Sequence, residues 1–291
     1  MNSICDPGDE VIIPEPFYAN YNGFALASDV NVIPITSKIE DNFALPSIHE
    51  FEKKINSKTK AILLCNPCNP TGYVYSQEEI INIANLAKKN DLFIVVDEVY
   101  REFIYTDTKH FSILEDEKFS ENAILIDSTS KRYSLCGARV GFIVSKNSEF
   151  IKTCLKFALT RLSPPTLALI AANHALNSRE DYIENVIKEY YKRREVIINE
   201  LSQIDNIKFS NPMGAFYSII KLPIENAEDF AKFLLTDFSY KNQSVMLSPA
   251  SGFYSSENYG KDEVRIAFVL NSEKLKNAIK IIKLGLKEFI G

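Results

Sequence analysis

A lysine with an arginine eight residues further along the chain is the feature of this sequence with the clearest chemical potential. Lys131 ends a Ser-Thr-Ser-Lys segment that follows the apolar run 123–126, and Arg139 lies in the segment Gly-Ala-Arg-Val-Gly. A lysine at the mouth of a sheet is desolvated, and a nearby cation lowers its pKa further. The neutral amine that results can attack a carbonyl group and form a Schiff base.

The same segment offers groups that bind phosphate. Ser128 and Ser130 carry hydroxyls, and Arg139 carries a guanidinium that can bind an anion through two parallel hydrogen bonds. An amine together with a phosphate-binding set is what pyridoxal 5'-phosphate requires. The alternative is a solvated surface charge, which is the usual state of a lysine in a polar turn.

Two upstream segments favour the site over the surface charge. One is Asn-Pro-Cys-Asn-Pro-Thr-Gly at 66–72, and the other is Phe-Ile-Val-Val-Asp-Glu-Val-Tyr at 93–100. Both segments, like the lysine segment, include or follow an apolar run typical of a buried strand. We expect the three to meet at the carboxyl edge of one parallel sheet, where open α/β folds bind ligands.

The rest of the chain supplies elements that could hold such an edge. Strands are predicted at 11–14, 31–35, 61–65, 92–96, 123–126 and 140–144. A helix over 77–89 begins at Ser76, with Glu79 completing a capping box. Beyond residue 165 we predict helices at 166–176, 182–201, 227–235 and 272–289, and strands at 208–209, 216–220 and 264–269.

These elements predict an α/β fold. A mostly parallel sheet sandwiched by helices would occupy residues 1–178, and a smaller α+β domain would occupy 179–291.

Composition narrows the class of protein. The 291 residues are 46% hydrophobic and 24% charged, which is typical of a globular protein. A net charge of −5 without a basic block argues against a nucleic-acid partner, and no uncharged stretch approaches a membrane span.

The start of the chain has no signal-peptide pattern, so we expect a cytoplasmic protein with reduced cysteines. Cys65 and Cys68 form a C-x-x-C, but without a second pair a redox or zinc site is disfavoured.

An ordered set of motifs identifies a family. Pro-Gly-Asp-Glu-Val at 7–11, Pro-Glu-Pro-Phe-Tyr at 14–18, Asn-Pro-Thr-Gly at 69–72, Asp-x-x-Tyr at 97–100 and Ser-x-x-Lys at 128–131 follow one another along the chain. In this set the chain resembles the class I and II pyridoxal-phosphate-dependent aminotransferases, the aspartate aminotransferase-like enzymes of fold type I. The resemblance implies transfer of an amino group between an amino acid, aspartate-like or of broad range, and a 2-oxo acid, by a homodimer.

The resemblance also assigns roles around the cofactor ring. Lys131 would bind pyridoxal phosphate covalently and act as general acid and base. Asp97 would pair with the pyridine nitrogen, while Tyr100 and Asn69 would hydrogen-bond the phenolic oxygen. Tyr18 would stack on the ring face. The alternatives are a helix N-cap for Asp97, an interface or core ring for Tyr18 and a core ring for Tyr100.

Further roles concern the phosphate and the substrate. Ser128 and Arg139, and more weakly Ser130, would bind the phosphate. Arg265 would bind the substrate's α-carboxylate, with Asn69 beside it. A structural ion pair is the alternative for Arg265, because buried charges are generally paired.

The chain departs from the family at its amino end. Family members carry on the order of a hundred residues before the Pro-Gly-Asp-Glu motif, the size of a small domain. That segment includes a glycine-containing loop that binds the phosphate at a helix N-terminus. We therefore expect weaker cofactor binding, and a dimer where that segment is present.

Other functions stay open. The chain could be a fragment, a truncated gene product or a degenerate member, and so a catalytically weak remnant. A pyridoxal-phosphate-dependent lyase would use the same residues. A nicotinamide dehydrogenase is disfavoured, because no G-x-G-x-x-G follows any strand.

Overall fold

The larger sheet places the three predicted motif segments side by side. The computed structural model describes residues 1–178 and 180–291, and in these residues this sheet has six strands in the order β2-β1-β3-β4-β5-β6. The strands are β1 (Glu10–Glu15), β2 (Asn31–Thr36), β3 (Thr59–Cys65), β4 (Phe93–Asp97), β5 (Ala123–Ser128) and β6 (Gly141–Val144). Strands β1 to β5 are parallel, and β6 runs antiparallel to β5. Because β3, β4 and β5 are neighbours, their carboxyl ends meet at one edge.

Helices accompany the strands of this sheet. They are α1 (Asn20–Ala27), α2 (Ile48–Lys54), α3 (Gln77–Lys89), α4 (Ser148–Arg161) and α5 (Thr166–Leu176). The long α6 (Glu180–Leu201) packs instead in the core of the second sheet, through Ile197 and Leu201. The predicted capping box of α3 is confirmed. The Glu79 amide donates to Ser76 Oγ at 3.2 Å, and the Ser76 amide donates to Glu79 Oε2 at 2.7 Å. The apolar face of α3 packs on the sheet: Ile80 and Ala84 are fully buried beside Ile62. This packing fixes the helix between β3 and β4.

A second, antiparallel sheet follows α6. Among the described residues it contains four strands in the order β7-β8-β10-β9. Its strands are β7 (Lys208–Phe209), β8 (Tyr217–Lys221), β9 (Ser248–Pro249) and β10 (Glu263–Ala267), and it is accompanied by α7 (Ala227–Thr236) and α8 (Ser272–Ile290). The predicted combination of a mostly parallel sheet with a smaller α+β unit is confirmed.

The predicted and observed elements agree to within about two residues at most ends. Of the α-helices and strands in the described residues, four were not predicted: α1, α2, α4 and β9. The expected domain boundary between residues 178 and 179 stays a prediction, and Arg179 lies outside the described residues. Across residues 1–178 and 180–291, none of the helices combines the length and the apolar character that crossing a membrane requires.

The second sheet docks against the motif edge of the first. Gly72, which ends the Asn-Pro-Thr-Gly segment, has φ +75°, and a Cβ there would lie 2.5 Å from the Cβ of Pro212 and 2.8 Å from the carbonyl oxygen of Tyr217. Only glycine fits so close to another backbone. On the other side, the buried carboxylate of Glu15 accepts hydrogen bonds from the amides of Ser255 and Ser256 at 2.7 and 3.1 Å. The two sheets are therefore joined around the carboxyl ends of β1, β3 and β4.

Candidate active site

Lys131 lies in the turn after β5, facing aromatic rings. Its Nζ is 5.5 Å from the centre of the Tyr100 ring and 5.8 Å from that of Phe216. Partial burial lowers the pKa of Lys131, and the charges of Arg265 and Arg139 lower it further, against the opposing effects of Cys136 and Asp97. Within the described part of the chain, the amine forms no ion pair or hydrogen bond. The predicted desolvated lysine is thus found, and burial is the larger cause of its lowered pKa.

Asp97 ends β4 and receives a hydrogen bond that the sequence did not predict. The hydroxyl of Tyr21, in α1, donates to Asp97 Oδ2 at 2.7 Å, and the amide of Val99 donates to Oδ1 at 3.2 Å. Burial raises the pKa of Asp97, and the hydrogen bond from Tyr21 opposes that rise. The carboxylate accepts the Val99 amide as an N-cap would, but no α-helix begins there.

Tyr100 and Tyr217 form a buried pair across the two sheets. Their hydroxyl oxygens are 2.9 Å apart, and the rings meet nearly edge to face at 83°. Tyr217 begins β8, whereas Tyr100 follows β4 by three residues. Phe216 packs against Tyr100 with ring centres 5.1 Å apart. The segment Ala-Phe-Tyr at 215–217 therefore lines the predicted site with two rings.

Arg265, on β10, reaches the Asn-Pro-Thr-Gly segment. Its Nη1 donates to Asn69 Oδ1 at 3.0 Å, which brings together the two residues predicted to contact substrate. Its Cζ lies 4.5 Å from the centre of the Tyr217 ring and 4.8 Å from that of Phe253. Its buried Nε has no hydrogen-bond partner, and Arg265 forms no ion pair with any described residue. The structural ion pair considered for this arginine is therefore not found.

The predicted phosphate-binding residues are brought together only in part. The hydroxyl of Ser128 donates to Ser130 Oγ at 2.7 Å and lies 3.0 Å from the carbonyl oxygen of Val140. Arg139 is exposed, and its Nη1 donates to the carbonyl oxygen of Cys136 at 2.9 Å. Among the residues described, Arg139 thus forms no hydrogen bond with either serine.

Tyr18 is half-buried at the start of α1. Its ring meets Tyr21 at 90° with centres 5.5 Å apart, and its hydroxyl accepts from Asn20 Nδ2 at 2.9 Å. Tyr18, which the sequence predicted, is thus the half-buried member of a tyrosine pair, and the buried member, Tyr21, contacts Asp97. The three-residue spacing of Tyr18 and Tyr21 was the signal available for Tyr21, because i and i+3 residues share one side of a helical turn.

A cluster of charged side chains includes Arg132, the residue that follows Lys131. Arg132 is buried and bonds Asp127 Oδ1 at 2.5 Å and Glu102 Oε1 at 3.0 Å. Arg101 contacts the same two carboxylates, at 3.6 Å for Asp127 and 3.1 Å for Glu102. This charge cluster (Arg101, Glu102, Asp127 and Arg132) links the loop after Tyr100 to the turn that carries Lys131. This cluster was not predicted from the sequence.

Comparisons with known proteins identify the family and the fold. The model of the family described as aminotransferase class I and II matches residues 2–282. An aspartate aminotransferase of Pyrococcus horikoshii is 33% identical over 293 residues, which cover 99% of this chain and 72% of that protein. An aromatic aminotransferase structure from Pyrococcus horikoshii gives a TM-score of 0.88 at 29% identity, covering 99% of this chain and 76% of that one. An alanine aminotransferase from Pyrococcus furiosus gives 0.87 at 30%, covering 98% and 72%.

Proposed function

The chain belongs to the class I and II aminotransferases, which depend on pyridoxal phosphate, and we propose that Lys131, Asp97 and Arg265 are the central residues of its active site. The proposed substrates are an amino acid and a 2-oxo acid. Similar proteins are named for aspartate, for aromatic amino acids and for alanine. We therefore propose an aspartate-like or broad range of amino donors.

The residues present fit pyridoxal phosphate, because several polar groups at the motif edge have places for another partner. Asp97 is a partly buried carboxylate with a raised pKa, and a protonated ring nitrogen would supply the cation it lacks. The amine of Lys131 and the Nε of Arg265 have no partner among the described residues. A buried polar group without a partner is costly, so these groups suit ligands.

Each residue would hold one part of the cofactor. Lys131 would hold it covalently, and Asp97 would bind the ring nitrogen. The other contacts would be made by Asn69 and Tyr100 to the phenolic oxygen, by Ser128, Ser130 and Arg139 to the phosphate, and by Tyr18 to the ring face.

The chemistry then divides between the cofactor and the protein. Bound pyridoxal phosphate supplies an electron sink for the bond broken at the substrate α-carbon. Arg265 binds the α-carboxylate through its guanidinium and so orients the α-carbon. Nζ of Lys131, whose pKa is lowered by partial burial, would act in its neutral form as the base that takes a proton from the substrate α-carbon, and its conjugate acid would donate that proton to the cofactor carbon. Asp97 would supply a carboxylate that keeps the ring nitrogen protonated.

The single observation that carries this proposal is the half-buried Lys131 amine, which contacts two rings and forms no hydrogen bond or ion pair with any residue that the structure describes. The lyase alternative is not favoured, because the similar proteins are named as aminotransferases. A catalytically weak protein remains the competing outcome of the test below.

The test is covalent trapping followed by half-transamination. The purified protein is mixed with pyridoxal phosphate, reduced with borohydride and digested, and the modified peptide is identified by mass spectrometry. We expect modification at Lys131, and loss of the cofactor's visible absorption when L-aspartate is added without borohydride. Lys131→Ala should abolish both signals, while the exposed control Lys146→Ala should keep them. Modification elsewhere, or no spectral change with any amino acid, would refute the proposal.

We also propose that the enzyme is a cytoplasmic homodimer. Large apolar side chains are exposed on α4, α5 and the loop between them, including Leu159, Leu162, Leu167 and Ile170. Exposed apolar patches of this kind mark association surfaces. Reduced cysteines suit the cytoplasm, and the described residues contain five free thiols. Sedimentation equilibrium that gives the monomer mass at micromolar concentration would refute the dimer.

A further inference from the structure

Tyr217 contacts Tyr100 and Arg265, which have different roles in the proposed function. Its hydroxyl oxygen is 2.9 Å from that of Tyr100, and its ring lies 4.5 Å from Cζ of Arg265. We propose that Tyr217 is a positioning residue that orients the Tyr100 hydroxyl toward the cofactor and holds Arg265 for the substrate carboxylate. This inference rests on the proposed function.

The register of the second sheet sets the ring beside the arginine. In the antiparallel pair of β8 and β10, Arg265 lies opposite Ile219, and Tyr217 lies opposite Ala267. Tyr217 and Arg265 are thus diagonal neighbours, a separation that aromatic and long side chains span. The ring attracts the guanidinium without neutralising its charge. A carboxylate in the same position would occupy the cation, whereas a ring leaves it able to bind an anion.

The hydrogen bond of the hydroxyl pair can be donated from either side, since each oxygen carries one hydrogen. In the proposed function Tyr100 donates to a group outside the pair, so Tyr217 would donate to Tyr100. The group outside the pair is the phenolic oxygen of the cofactor.

The hydroxyl of Tyr217 has no role in packing. Phenylalanine would fill the same space, and a buried hydroxyl requires a partner that a phenylalanine does not. Tyr100 supplies that partner, and both residues are buried, at 2% and 6% exposed. Two variants therefore separate the two proposed roles of the Tyr217 side chain. Tyr217→Phe removes only the hydroxyl that contacts Tyr100, and Tyr217→Leu also removes the ring that contacts Arg265.

The first experiment is a spectroscopic pH titration of the protein loaded with pyridoxal phosphate. In Tyr217→Phe, Tyr100 loses the donor that polarises it and donates more weakly to the phenolic oxygen. We expect the pH midpoint of the visible absorption change to rise by about 0.5–1 unit. The KM for L-aspartate should stay within about twofold of the wild type, because the ring beside Arg265 is retained.

The second variant tests the ring. Tyr217→Leu should raise the KM for L-aspartate, and the Kd for succinate measured by calorimetry, about tenfold. The matched control is Tyr191→Phe, an exposed tyrosine on α6, which should change none of these quantities. An unchanged pH midpoint in Tyr217→Phe, or equal KM values for the phenylalanine and leucine variants, would overturn the inference.

A cofactor-free measurement separates this inference from the proposed function. In the apoprotein, Tyr100→Phe and Tyr217→Phe break the same hydrogen bond, so their effects on urea unfolding should not add. Failure of the wild type to trap the cofactor on Lys131 would refute the proposed function alone. Additive effects in the double variant would refute the hydroxyl pair, whatever the trapping experiment gives.

Discussion

Two arginines placed close to the site are held in different ways. Arg132, behind Lys131, is bound by the carboxylates of Asp127 and Glu102. Arg265, on β10 of the second sheet, contacts the side-chain amide of Asn69 and two aromatic rings. The Nε of each has no partner among the described residues, so the difference between the two lies in the carboxylates.

This difference distinguishes a structural arginine from a ligand-binding one. Burying a cation is costly unless an anion accompanies it. Arg132 has its anions within the protein and therefore stabilises the two loops that it joins. Arg265 is partly buried with no described carboxylate, so a substrate carboxylate is the anion that fits. The partners of a buried arginine, more than its burial, indicate its role.

The largest expected effect that tests this comparison is on ligand binding. Arg265→Met should raise the KM for L-aspartate and the Kd for succinate at least about a hundredfold, because a bidentate charged contact is lost. Its free energy of unfolding should change by less than about 1 kcal/mol, since no ion pair is broken. Steady-state kinetics, calorimetry and urea unfolding measure these quantities. The control is Arg161→Met, which changes an exposed arginine. Unaltered succinate binding in Arg265→Met would contradict the ligand-binding role of Arg265.

The reverse pattern is expected for the charge cluster. Arg132→Met leaves Asp127 and Glu102 with Arg101 alone, and it should lower the free energy of unfolding by about 2 kcal/mol, because removing one partner of a buried ion pair is costly. Succinate affinity should stay within about twofold of the wild type. Adding Asp127→Asn should recover part of the lost stability, since it removes the carboxylate that has lost its closer cation. A large loss of succinate affinity with unchanged stability would show that Arg132 belongs to the binding site.

A smaller effect concerns the carboxylate of Asp97. Folding raises its pKa, so the stability that Asp97 contributes is greatest at low pH and falls as the pH rises through the folded-state pKa. Tyr21→Phe removes a hydrogen bond that favours the ionised form. We expect a loss of about 1 kcal/mol at pH 7.5, shrinking toward pH 4. Urea unfolding of the apoprotein across this range tests the sign, with Tyr191→Phe as the control. A loss independent of pH would mean that Tyr21 acts by packing alone.

Much of the fold could be predicted because its signals are local. The apolar runs predicted all six strands of the larger sheet, and the Ser76 and Glu79 capping box predicted the start of α3. The elements that were missed have weak local signals. Helix α1 begins without a side-chain cap, and its apolar residues do not form one stripe. Strand β9 has only two residues, Ser248 and Pro249, and exists because β10 pairs with it.

The candidate site was predicted less evenly. Lys131, Asp97, Asn69 and Tyr100 lie in motifs that each include or follow a strand, so their order along the chain predicted their convergence. Tyr21, Tyr217 and the charge cluster were missed, because each acts through a partner distant in sequence. The hydrogen bond between Tyr21 and Asp97 spans 76 positions, and that between Tyr100 and Tyr217 spans 117.

By itself, the sequence determined which residue types follow each strand, and with them the chemistry available: a lysine amine, a carboxylate and an arginine in a set order. Only the tertiary structure decided which cations are neutralised and which are left for a ligand. Arg132 and Arg265 are the same residue type, and the residues beside each in the sequence do not show which carboxylates lie near it in the fold. The difference arises because charges interact through space, and the distances between them are set by how the two sheets pack.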